Sequence, residues 1–169
     1  GSNLQESHAQ LLSSVTRMGN LREAGFLVSP DFVETNKEHV GMSLEMASEY
    51  SRNYPILNEW IDFASVQSKL LHHDDAEIII GDVPPVNRTP DEERMKKLEH
   101  RVATRYVFSQ IPDSQVKEEV IRHYKQYASD NPRDLDVQMT RFIDKAQGTT
   151  RVADLAFNIR HHLENGDEA

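Results

Sequence analysis

The sequence predicts an all-α fold, a bundle of six or seven helices joined by short turns. Alternating apolar and polar runs rich in β-branched residues, the mark of strands, are nearly absent. Helix start signals recur instead. Thr35-Asn36-Lys37-Glu38 fits a capping box, and Thr89-Pro90-Asp91-Glu92 sets an N-cap Thr before a first-turn Pro and acids that suit the helix dipole. Stop signals lie between them at Pro55, Gly81, Pro112, Pro132, Gly148 and Gly166.

The elements follow in order. Residues 3 to about 18 form a first amphipathic helix through Leu4, Leu11, Leu12 and Val15, followed by an irregular stretch with Gly19, Gly25 and Pro30. Thr35 opens a helix to about Tyr50, whose core stripe is Val40, Leu44 and Ala47. Beyond Pro55, one long apolar segment runs from about Leu57 to Ile80 with Trp60, Ile61, Phe63, Val66, Leu70 and Leu71, and Gly81 ends it. Pro84 and Pro85 stiffen the next loop. Thr89 then caps a helix reaching Phe108, and a further helix spans about Ser114 to Tyr127. Leu135, Met139, Phe142, Ile143 and Ala146 mark a helix that Gly148 should end. Thr149 or Thr150 should then cap a last one through Val152, Leu155, Ile159 and Leu163.

At 169 residues the chain fits one domain, 3–169, with Gly1-Ser2 reading as a tag remnant. Its 37% hydrophobic and 28% charged residues mark a globular rather than a disordered protein. A net charge of −9 excludes a broad basic surface for nucleic acid, yet leaves room for a small phosphorylated substrate beside a bound cation. With no Cys, disulfides, thiolate metal sites and Cys nucleophiles are excluded. No apolar run approaches the roughly 20 residues of a membrane span, and no leader peptide is visible, so a cytoplasmic location is expected.

The most telling stretch is Leu70-Leu71-His72-His73-Asp74-Asp75-Ala76-Glu77-Ile78-Ile79-Ile80-Gly81-Asp82-Val83-Pro84-Pro85. Side chains three and four apart on a helix share a face, so His73, Asp74 and Glu77 can point into one pocket. Adjacent imidazole and carboxylate suit a divalent metal, and a further carboxylate suits proton transfer. Of the two histidines, His73 abuts Asp74, and His72 is the decoy. His8, His100, His123, His161 and His162 fit no useful spacing and read as surface residues.

This run resembles the signature of the HD-domain phosphohydrolases, most closely the small 5'-deoxynucleotidase-like members. Glu38-His39-Val40 resembles the family's first His element, and Phe142-Ile143-Asp144-Lys145-Ala146 its closing Asp element. The resemblance implies a compact HD-domain bundle holding one divalent ion on His39, His73, Asp74 and Asp144. Two imidazoles and two carboxylates suit Mn, Co, Fe, Zn or Mg in varying degree. It further implies that Glu77 orients the attacking water or accepts its proton, and that Asp82 donates one to the leaving 5'-oxygen. The expected substrate is a nucleoside or deoxynucleoside 5'-monophosphate. Leu21-Arg22 stands nearest the family's phosphate-gripping Arg, although no aromatic flanks Arg22. Small HD proteins of this kind often pair, so the expected partners are a phosphorylated small molecule and a second copy of the chain.

Two other functions compete. HD-fold di-iron oxygenases need extra His ligands between the His-Asp pair and the closing Asp, where this chain offers only His100 and His123. A non-catalytic sensor or interaction domain is the third reading; loss of a ligand would favour it, and all four are present.

Overall fold

The computed structural model describes residues 8, 10–15, 34–83, 88–129 and 131–165. From residue 34 onward it contains six α-helices, and the described residues include no strand, as an all-α reading requires. They are α1 (Asn36–Asn53), α2 (Phe63–His72), α3 (Glu77–Ile80), α4 (Pro90–Val102), α5 (Ser114–Ser129) and α6 (Leu135–Asn165). Helices α1, α2 and α6 pack against one another, α5 lies along α2, and α3 rests on α4.

Both capping boxes form. Thr35 accepts from the backbone of Glu38, whose carboxylate returns to the Thr35 N–H, and Thr89 and Glu92 repeat the arrangement. Asp113 caps α5 by accepting from Gln115 and Val116, and Asp134 caps α6 through Val137. Near the N-terminus, residues 10–13 are helical and the helix stops at Ser14, short of the expected end near residue 18. Leu12 and Val15 are buried there, and the Val15 carbonyl accepts from the Asn36 N–H at 2.9 Å.

Two further expectations fail. The apolar segment 57–80 is not one helix. Pro55–Glu59 is a 3₁₀ turn that leaves Trp60 exposed, and Asp62 then starts α2 by accepting from Ala64 and Ser65. At the other end α2 stops at His72, because the ring Nδ1 of His73 donates to the Leu70 carbonyl at 2.8 Å and so competes for an α-helical acceptor. Residues 73–76 form a tight turn held by i→i−3 bonds such as Glu77 N to Asp74 O at 2.9 Å. The four residues of α3 lead to Gly81, whose φ of 76° favours Gly.

The second failure is at Gly148. Helix α6 runs through it without a break, and Thr149 and Thr150 do not cap a new helix. Their hydroxyls instead donate to the carbonyls of Lys145 and Ala146, four residues back. Buried Ile143 and Gln147 anchor the helix in the turn just before Gly148, so packing outweighs the roughly 1 kcal/mol that a mid-helix Gly costs.

Two apolar clusters make the core. Ala47, Phe63, Val66, Leu70 and Ile143 fill the space between α1, α2 and α6, with Leu44 and Met139 against them. Ala76, Ala103, Phe108, Val120 and Tyr124 fill the space around α4 and α5. Leu70 belongs to the first and Ala76 to the second, so the turn carrying His73, Asp74 and Asp75 is clamped between them. Burying a side chain such as Leu70 contributes about 1.5–3 kcal/mol, enough for the clamp to hold polar residues away from water.

Candidate metal centre

Three parts of the chain meet at the inner end of this turn. His39 comes from the first turn of α1, His73 and Asp74 from the 73–76 turn, and Asp144 from the middle of α6. The His39 and His73 Nε2 atoms lie 3.4 Å apart. Asp144 Oδ1 lies 3.1 Å from His39 Nε2 and 3.4 Å from His73 Nε2. Asp74 Oδ2 lies 3.2 Å from His73 Nε2 and 3.8 Å from His39 Nε2. Donors about 2.1 Å from a shared ion lie about 3.0 Å apart in octahedral and about 3.4 Å apart in tetrahedral coordination. The observed separations span both, so His39, His73 and Asp74 fit a common divalent cation, with Asp144 set against both imidazoles.

The rings are also turned the right way. A carboxylate only accepts, so the Gln147 Nε2 that bonds Glu34 Oε1 at 2.7 Å is the amide nitrogen, and the amide oxygen faces His39. That oxygen accepts from His39 Nδ1–H, and the Leu70 carbonyl accepts from His73 Nδ1–H. Each imidazole therefore presents Nε2 inward, the outer-shell arrangement usual for His ligands. On the far side Tyr127 donates to Asp144 Oδ2 at 3.4 Å and sets its ring edge-on to His73, with the Arg141 guanidinium over the ring.

Electrostatics follow from this crowding. Burial opposes the charged form of His73, yet Asp74 and Asp144 outweigh it and raise its pKa to about 10. Burial also opposes ionisation of Asp144, but hydrogen bonds from His39 and His73 hold its carboxyl far below the usual range.

Glu77 lies next along the chain. Its Oε2 accepts from Asn36 Nδ2 at 2.8 Å, and Asn36 sits one turn before His39 on α1. Both are buried. Asp82 follows Gly81, half-buried just past α3. Arg22 and the Pro84-Pro85 turn lie outside the described residues.

Sequence reasoning missed Gln147, Asn36, Glu34 and Tyr127. Gln147 is three residues after Asp144 and Asn36 three before His39, so helical spacing could have pointed to both. Glu34 and Tyr127 carried no such signal. Three of the supposed surface histidines are engaged in the structure. His123 is buried and bonds Ser68 at 2.7 Å, while His8 and the decoy His72 both bond Asp75. His100 is exposed but stacks on Tyr124, so neither histidine open to an oxygenase reading stands unengaged. No helix among the described residues is long and apolar enough to cross a membrane.

An all-α domain that gathers two imidazoles and two carboxylates from three parts of its chain defines a class of cation-binding helical proteins. The HD-domain family model matches residues 38–153, more than half of the chain, and the protein belongs to the HD-domain family. Members are generally hydrolases that bind divalent metals. Among curated proteins, none matches the chain.

Proposed function

We propose that this protein is a metal-dependent phosphomonoesterase that releases phosphate from nucleoside or deoxynucleoside 5'-monophosphates. The observation that carries the reading is that carboxylate oxygens of Asp74 and Asp144 each lie 3.1–3.8 Å from the Nε2 atoms of His39 and His73, beside buried Glu77. These four residues are the proposed ligands. A divalent ion bound there lowers the pKa of its water toward neutrality and offsets charge on the phosphoryl oxygens.

The chain's own residues supply the rest. Asn36 holds the Glu77 carboxylate in one orientation, so that it can accept the proton of the attacking water. As the new P–O bond forms, the bond to the 5'-oxygen breaks, and Asp82 supplies the proton that the leaving oxygen requires. Gly81, free to adopt its positive φ, turns the chain so that Asp82 leaves the axis of α3. Gln147 and the Leu70 carbonyl keep both imidazoles in the tautomer whose Nε2 is open to a cation. Arg22 is the proposed phosphate contact. The acidic surface favours a small soluble substrate over a polyanion, and a homodimer is the proposed assembly.

Phosphate release from a panel of nucleoside monophosphates, with Mn, Co or Mg returned to metal-stripped protein, tests this. Activity should appear with at least one ion, vanish in Asp74→Ala, and fall about 100-fold or more in Glu77→Ala. Full activity in Glu77→Ala would remove the role given to that residue. Two irons per chain with oxygen uptake, and no phosphate release, would replace the hydrolase with an oxygenase.

A further inference from the structure

A second group of ligating side chains sits on the outer side of the same turn and shares no residue with the first. His8 Nε2 lies 2.7 Å from Asp75 Oδ1, and His72 Nδ1 lies 2.7 Å from Asp75 Oδ2. The two rings are 5.5 Å apart between centroids. One nitrogen from each ring and one carboxylate oxygen all fall within 4.8 Å of one another. The three residues come from separate places: the N-terminal segment, the last position of α2, and the turn clamped between the two apolar clusters.

Asp75 is 1% exposed. A carboxylate taken out of water needs strong partners, and here both oxygens face imidazole nitrogens. The pair of rings is partly open, with side-chain exposures of 23% for His8 and 14% for His72, so an ion can reach the group from solvent. On the inner side, Phe108 lies edge-on to His72 and backs the group with an apolar wall. Two imidazoles and one carboxylate form a donor set that suits zinc and other late first-row divalent ions better than Mg or Ca. Three protein donors leave a coordination position for water. Donors about 2.1 Å from a tetrahedral ion stand about 3.4 Å apart. An ion replacing the shared protons would therefore open the 2.7 Å contacts by less than about 1 Å, within reach of small ring rotations.

We propose that His8, His72 and Asp75 form a second divalent-cation site that takes a zinc-class ion. It acts as a clamp. The ion ties the N-terminal segment to the turn that carries His73 and Asp74, reinforcing the Asn36 to Val15 backbone bond nearby. The site has no part in the proposed phosphate chemistry and does not depend on it.

Zinc binding to the metal-stripped full chain, followed by titration calorimetry and native mass spectrometry, tests the proposal. The wild type should take two ions. His8→Ala and His72→Ala should each take one, and His39→Ala, with the inner cluster broken, should also keep one. His8→Ala/His39→Ala should take none. Circular dichroism on each variant separates loss of a ligand from loss of fold. His8 is the safer position, because its removal leaves α2 and the turn intact. A folded His8→Ala that still binds two ions would overturn the proposal. So would a folded His39→Ala that binds none, which would leave His8 and His72 as hydrogen-bond tethers of Asp75. Failure of the phosphatase assay would leave these stoichiometries unchanged, so the two readings fail separately.

Discussion

The amide oxygen of Gln147 accepts a hydrogen bond from Nδ1 of His39 across 108 residues of chain. This bond sets which ring nitrogen of His39 points at His73 and Asp144, and Glu34 sets the amide in turn. Gln147→Leu keeps the side-chain bulk but removes the acceptor. Divalent-metal affinity, read by titration of Mn into metal-stripped protein, should fall about 10- to 100-fold. Unchanged affinity would show that packing alone orients the ring.

Asn36 plays the matching part for Glu77. Asn36→Ala removes a donor from a buried carboxylate, which should cost about 1–3 kcal/mol of stability in a denaturant titration. Metal stoichiometry should stay the same, while kcat on the preferred nucleotide falls with little change in KM. A rise in KM alone would mean that Asn36 serves substrate binding rather than Glu77.

Two glycines should respond oppositely to Ala. At Gly148, inside α6, an added Cβ meets nothing within 4 Å, so Gly148→Ala should stabilise the protein by about 0.5–1 kcal/mol. At Gly81 the φ of 76° strains any L side chain, and Gly81→Ala should destabilise by about 1 kcal/mol. A helix end at Gly148 would reverse the first sign.

Lys69 is buried on α2, where its ammonium donates to Ser65. Burial holds its pKa below the usual lysine value, although Asp136, Asp134 and Asp62 partly offset this. The unfolded chain therefore keeps the proton more tightly than the folded one. Wild-type stability should rise with pH from the folded pKa up to the unfolded value of about 10.4. Lys69→Met lacks this titration. The stability of the variant relative to the wild type should thus be highest near neutrality and decline as pH rises. A difference independent of pH would mean that the folded lysine keeps an ordinary pKa.

Much of the fold could be read from local chemistry. Thr35, Glu38, Thr89 and Glu92 carry their capping information within four residues, and both helices start where those residues place them. Gly148 and the 57–80 segment misled for different reasons: packing overruled the first, and bonds within the segment itself broke the second. A glycine that would end a free helix is carried through α6 by packing around Ile143 and Gln147. A segment apolar enough to be one helix is broken by a ring of its own, His73, taking the Leu70 carbonyl.

The sequence by itself determined an all-α chain, the capped starts of α1 and α4, and the residue types able to meet at an inner cation site. Only the tertiary structure decided which nitrogen of each imidazole faces inward, that Asn36 and Gln147 support the site, and that His72 turns away to Asp75 with His8. Caps and breaks act within one helical turn. The direction of a ring is set by partners such as Gln147 and Asp75, and for His39 and His8 those partners become neighbours only when distant parts of the chain are packed together.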